Sequence, residues 1–124
     1  MGLLDSLMGN ASEVDATEVN DEISEVLADN ESVANAYKLI RDMLVITNKR
    51  LIFVDKQGMT GKKVSYHSIP YKSVTNFIVE TAGTFDTDSE LKIWVSGRAA
   101  PLELELKSGL APSVQKALAT QMFS

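Results

Sequence analysis

Histidine occurs once, at position 67, inside the strand-like run Val64-Ser65-Tyr66-His67-Ser68-Ile69. A general base there needs an orienting carboxylate and a cleft, and the neighbouring residues offer neither, so His67 reads as an ordinary strand residue. Asp86, Asp88 and Glu90 alternate as calcium ligands would. Counted from Asp86, however, the sixth position is Leu91 where a calcium loop turns on glycine, and the twelfth is Gly97 where it needs a bidentate glutamate. Gly58-Met59-Thr60-Gly61-Lys62-Lys63 gathers glycines and lysines without the spacing of a phosphate-cradling loop, and a strand follows it instead of a helix. Met1-Gly2-Leu3-Leu4-Asp5-Ser6 satisfies the bare myristoylation pattern, but the residues after it are acidic and supply no second membrane anchor. With no cysteine in the chain, thiol nucleophiles, thiolate zinc sites and disulfides are excluded. No catalytic residue, metal site or cofactor site is assigned, and a non-enzymatic protein is expected.

The elements that would position any site fall into three stretches. Residues 1–31 hold nine acids and no base, which leaves eight acids and all twelve Lys and Arg to residues 32–124. An acidic arm of formal charge −9 is thus joined to a body of +4. Within the arm, Leu3, Leu4, Leu7 and Met8 share one side of a short helix stopped by Gly9-Asn10. A second helix is predicted over about 17–28 from the spacing of Val19, Ile23, Val26 and Leu27. From about residue 32 the period becomes strand-like. Strands are predicted near 32–40, 42–47, 50–56, 63–69, 73–81, 89–96 and 101–107, punctuated by Asn48-Lys49, Gly58, Gly61, Pro70, Gly83 and Gly97. After Ser108-Gly109, Pro112 and the four-residue spacing of Leu110, Val114, Leu118 and Met122 predict a closing helix. The domain boundary is placed between a 1–30 acidic helical extension and a 31–124 β domain.

Two strand patterns depart from simple alternation. Met43-Leu44-Val45-Ile46 and Leu51-Ile52-Phe53-Val54 are apolar on both faces, so the outer side of that hairpin must be covered. In 91–95, Leu91, Ile93 and Val95 share one face, which puts the only tryptophan, Trp94, on the other, where a large aromatic is usually covered by another element or a partner. Uninterrupted apolar runs such as Met43 to Ile46 fall far short of the roughly 20 residues a membrane span requires, and no signal-peptide pattern opens the chain. A soluble cytoplasmic protein is expected. The net charge of −5 does not favour nucleic acid or an anionic membrane.

The run Leu44-Val45-Ile46-Thr47-Asn48-Lys49-Arg50-Leu51-Ile52-Phe53-Val54-Asp55, then Gly58 to Lys63, Ser68-Ile69-Pro70-Tyr71, Val79-Glu80-Thr81-Ala82-Gly83 and Glu90-Leu91-Lys92-Ile93-Trp94-Val95-Ser96-Gly97, resembles the bacterial pleckstrin homology (PH) domain family over about 30–124. The resemblance implies a mostly β (α+β) fold: two nearly orthogonal antiparallel sheets forming a partly open barrel of seven strands, capped by a C-terminal helix. It also implies assembly into symmetric rings or other homo-oligomers, with no defined biochemical activity. Eukaryotic PH domains that bind phosphoinositides carry a basic motif between their first two strands. Here that connection is about Ile40-Arg41-Asp42, too short and too poor in base to ring a polyphosphate, so phosphoinositide and membrane binding are not expected.

The expected function is accordingly a PH-like protein-binding scaffold whose first partner is itself. The expected interface is Met43, Val45, Ile52, Val54 and Trp94, with Leu3, Leu4 and Leu7 at the periphery. The alternative is a module whose basic turns, Lys49, Arg50, Lys62 and Lys63, dock an anionic lipid, a phosphopeptide or an acidic protein segment.

Overall fold

A computed structural model describes residues 13–38, 42–57, 63–81, 89–106 and 109–123. In chain order the elements are β1 (Glu13–Val14), α1 (Ala16–Glu22), a 3-10 turn (Ser24–Val26), β2 (Val33–Lys38), β3 (Met43–Thr47), β4 (Arg50–Gln57), β5 (Lys63–Pro70), a 3-10 turn (Tyr71–Ser73), β6 (Val74–Thr81), β7 (Ser89–Val95), β8 (Leu102–Leu106) and α2 (Ala111–Met122). Strands β1 to β5 form one antiparallel sheet in sequence order, and β6 to β8 form a second. The seven expected strands are β2 to β8, each within about two residues of its predicted ends, and β1 is an addition. The sheets do not close into a full barrel, as the resemblance implies.

The main core lies between the two sheets and under α2. It is built from alternate strand positions, among them Leu44, Ile46, Leu51, Leu91, Ile93 and Leu106, with Val114 and Leu118 of α2 closing over them. Pro112 sits in the first turn of α2, where its missing N–H costs nothing. The Tyr37 hydroxyl and Ser113 Oγ are 2.8 Å apart, which ties that turn to β2. Gly97 and Gly109 both take φ of +87°, the left-handed region closed to most side chains, at the β7–β8 turn and just before α2.

A second core lies behind the five-stranded sheet. All five residues of β3 are buried: Leu44 and Ile46 face the main core, Met43 and Val45 the rear. The chain itself covers the rear. Val14, Ala16, Val19, Ile23 and Leu27 lie over Ala36, Met43, Val45, Ile52 and Val54. The helix predicted over 17–28 is therefore shorter, ending at Glu22 and passing through a 3-10 turn, because the segment bends to keep its apolar side on a twisted sheet. Asp15 caps α1 by accepting from the Thr17 amide at 2.8 Å, and Asn20 Oδ1 accepts from the Val33 amide at 2.8 Å. The helix expected near 3–8 lies outside the described residues.

Candidate functional site

His67 packs edge to face on Phe53, with ring centroids 6.4 Å apart at 71°. Glu90 belongs to β7, while Asp86 and Asp88 lie outside the described residues. A groove between α1 and the β2–β3 edge is lined by Glu18, Glu22, Lys38 and Asp42 over Val14, Val19 and Met43, and it holds no histidine, hydroxyl or thiol.

The four hairpin residues expected at an oligomer interface are placed elsewhere. Met43, Val45, Ile52 and Val54 are core residues, none more than 7% exposed, and the cover is the chain's own residues 14–27. A tethered amphipathic segment acts at an effective concentration that a separate subunit does not match, so the segment and not a second copy occupies this face. Leu3, Leu4 and Leu7 lie outside the described residues. Trp94 is where alternation put it, on the outer face of the three-stranded sheet and half-buried.

The expected basic cluster is also divided. Arg50 pairs with Pro70 at one end of the β4–β5 hairpin and Lys63 with Gln57 at the other, seven residues of strand apart, about 23 Å at the usual rise. Lys62 lies outside the described residues. Arg50 is engaged as well. Its Nε and Nη2 each donate at 2.9 Å to the two oxygens of Glu31, Nη2 also reaches Val26 O at 2.7 Å, and Nη1 reaches Ser68 Oγ at 2.6 Å. Glu31 further accepts from Thr47 Oγ1 at 2.6 Å and from the Ala28 amide at 2.8 Å. Burial alone would raise the Glu31 carboxyl, but the Arg50 guanidinium, the Thr47 hydroxyl and the Ala28 amide outweigh it and hold the group down at about 2. This clasp fixes the end of the N-terminal segment to the β3–β4 turn, and it takes Arg50 out of any anion site.

Two surfaces escaped sequence reasoning. The first is a basic end. The Tyr71 hydroxyl donates to Thr47 O, and the Ser96 amide donates to Ser73 O at 2.8 Å, so the β3–β4, β5–β6 and β7–β8 turns gather together. They bring exposed Lys49, Lys72 and Arg98 to one end of the molecule, with exposed Glu25 and Asp29 on the neighbouring segment. The signal was available, because alternate turns of an antiparallel meander share an end. The second is the outer face of the three-stranded sheet. There the cross-strand partners are Asn76 with Trp94, Ile78 with Lys92 and Glu103, and Glu80 with Glu90 and Glu105. Ile78 is 40% exposed. Lys92 Nζ stands 3.7 Å from Glu80 and 3.9 Å from Glu90, long and solvated ion pairs that leave the face acidic.

The architecture and the comparisons agree. The sequence profile of the bacterial PH domain family matches residues 2–122. The chain belongs to the bacterial PH domain family. It is 56% identical over 101 residues to the uncharacterized protein YjqA of Bacillus subtilis (strain 168), covering 82% of this chain and 81% of that one. Among solved structures it is similar to a DUF1696 family protein with a PH domain from Shewanella loihica PV-4, at TM-score 0.80 and 56% identity over 90% of this chain and 96% of that one. It is also similar to a PH domain from Shewanella amazonensis SB2B, at TM-score 0.79 and 57% identity over 98% and 99% of the two chains. Among the described residues of this bacterial PH domain, no helix is long and apolar enough to cross a membrane.

Proposed function

We propose that this bacterial PH domain is a non-enzymatic protein-binding scaffold that assembles with copies of itself through the outer face of the three-stranded sheet. The observation that carries the reading is the contrast between the two sheets. The five-stranded sheet has its rear covered by the chain's own residues 14–27, whereas on the outer face of the three-stranded sheet Ile78 is 40% exposed and Trp94 half-buried, and neither belongs to the two cores. An aromatic and a β-branched residue side by side, rimmed by polar groups, is the composition of an interface centre. Light scattering on a size-exclusion column tests it. The wild type should elute at a multiple of 13.5 kDa at micromolar concentration, and Trp94→Glu should shift it to the monomer without changing its circular dichroism. A wild-type monomer across that range overturns the proposal.

A further inference from the structure

The acidic sheet face and the basic end lie on the same molecule, and their charges are of opposite sign. Across the sheet, Glu80, Glu90 and Glu105 occupy directly opposed positions in one row. Like charges so placed repel and destabilise the protomer, and among the described residues Lys92 offsets them only at 3.7 and 3.9 Å in solvent. Glu103, paired with Lys92, adds a fourth carboxylate to the same face. Two residues along each strand from that row are Ile78 and Lys92, and Trp94 follows two further along β7, so an apolar centre adjoins the acidic row.

The opposite charge is at the turn end. Lys49, Lys72 and Arg98 come from three separate turns, all are exposed, and Arg50 beside them is neutralised by Glu31. Glu90 stands five residues before Val95, the end of β7, so about 17 Å of strand separates the acidic row from the turn that carries Arg98. One molecule cannot bring them together, but two can. Among the described residues, another acidic surface, the exposed side of α1 with Glu18, Asp21 and Glu22, adjoins a groove over Val14, Val19 and Met43 whose lining includes no aromatic to form a dry centre.

We infer that the occupant of the acidic sheet face is a second copy of this chain, presented by its basic end: the Glu80–Glu90–Glu105 row of one protomer receives Lys49, Lys72 and Arg98 of the next, with Ile78 and Trp94 buried beside the charged contact. The inference rests on the self-assembly proposed above and specifies which surface meets which. The protomer tolerates a repulsive row because the row is relieved only in the assembly, and the opposed charges impose register on a contact that the apolar centre alone would leave free to slide.

Two charge-reversed triple variants test it, Glu80→Lys/Glu90→Lys/Glu105→Lys and Lys49→Glu/Lys72→Glu/Arg98→Glu, followed by light scattering alone and as an equimolar mixture. Each alone should dissociate, its apparent dissociation constant raised about tenfold or more over wild type, and the mixture should recover mass because reversed partners attract again. A third variant, Glu80→Gln/Glu90→Gln/Glu105→Gln, should melt no lower than wild type as a monomer while assembling more weakly, which separates loss of contact from loss of fold. If wild type is a monomer, self-assembly fails and this inference with it. If wild type assembles and either reversed variant assembles equally well, or the mixture recovers nothing, the charge pairing is overturned and the self-assembly proposal stands.

Discussion

Glu31 has no exposed side-chain surface, yet it is charged at neutral pH because four donors converge on its two oxygens. Its carboxyl sits at about 2 in the folded chain against an ordinary value of 4.5. A depressed folded value means that the stabilisation is complete above the unfolded value and is lost as pH falls through the folded one. Stability should thus drop between about pH 5 and pH 2 by an amount on the order of 3 kcal/mol from this group, visible as a falling urea midpoint. Glu31→Gln should flatten that part of the profile. Arg50→Met leaves the carboxylate buried without its cation and should cost about 3 kcal/mol at pH 7, read in the same urea titration. None of this was legible beforehand. Glu31 looked like one more acid of a solvated arm, and Arg50 like a free base in a turn, because the two lie nineteen residues apart and meet only when residues 14–27, the strap over the rear of the five-stranded sheet, fold back.

At the level of elements the sequence was far more explicit. Turn residues at short intervals located β2 to β8, and the double-sided apolar character of Met43–Ile46 and Leu51–Val54 correctly required a cover. The identity of that cover was not legible, since periodicity says that a face is apolar but not what lies on it, and α1 with its following turn satisfies the same pattern as a subunit would. Ile23, 2% exposed, is the residue that most tests this account. Ile23→Ala should lower the unfolding free energy by about 2–5 kcal/mol in urea, while Val26→Ala, three residues on and 38% exposed, should change it by less than about 0.5 kcal/mol. Equal effects would mean that the strap contributes little to the second core.

For the whole molecule, charge is the property that folding rearranged most. The sequence divides it into an acidic first quarter and a basic remainder, but the fold redistributes it, placing carboxylates both on the strap and on the outer face of the three-stranded sheet and collecting Lys49, Lys72 and Arg98 at one end. Residues 32–124, positive in sum, therefore carry an acidic face, which linear reading does not reveal. If copies associate through these surfaces, folding and assembly are linked by mass action. The melting temperature should then rise with protein concentration and the rise should shrink at high salt, both measurable by scanning calorimetry. A melting temperature independent of concentration would place the wild type among monomers.

The two-residue strand β1 has a consequence out of proportion to its length. By pairing Glu13 with Tyr37 and Val14 with Ala36, it occupies the flank of β2, whose amides and carbonyls would otherwise stand ready to accept any extended chain. On the other flank of that sheet, β5 opens with Lys63 and finishes at Pro70, a charge and an imino ring that both discourage lateral growth. Glu13 and Val14 thus act as a guard against fibrous stacking, steering contacts between copies away from strand edges and toward faces.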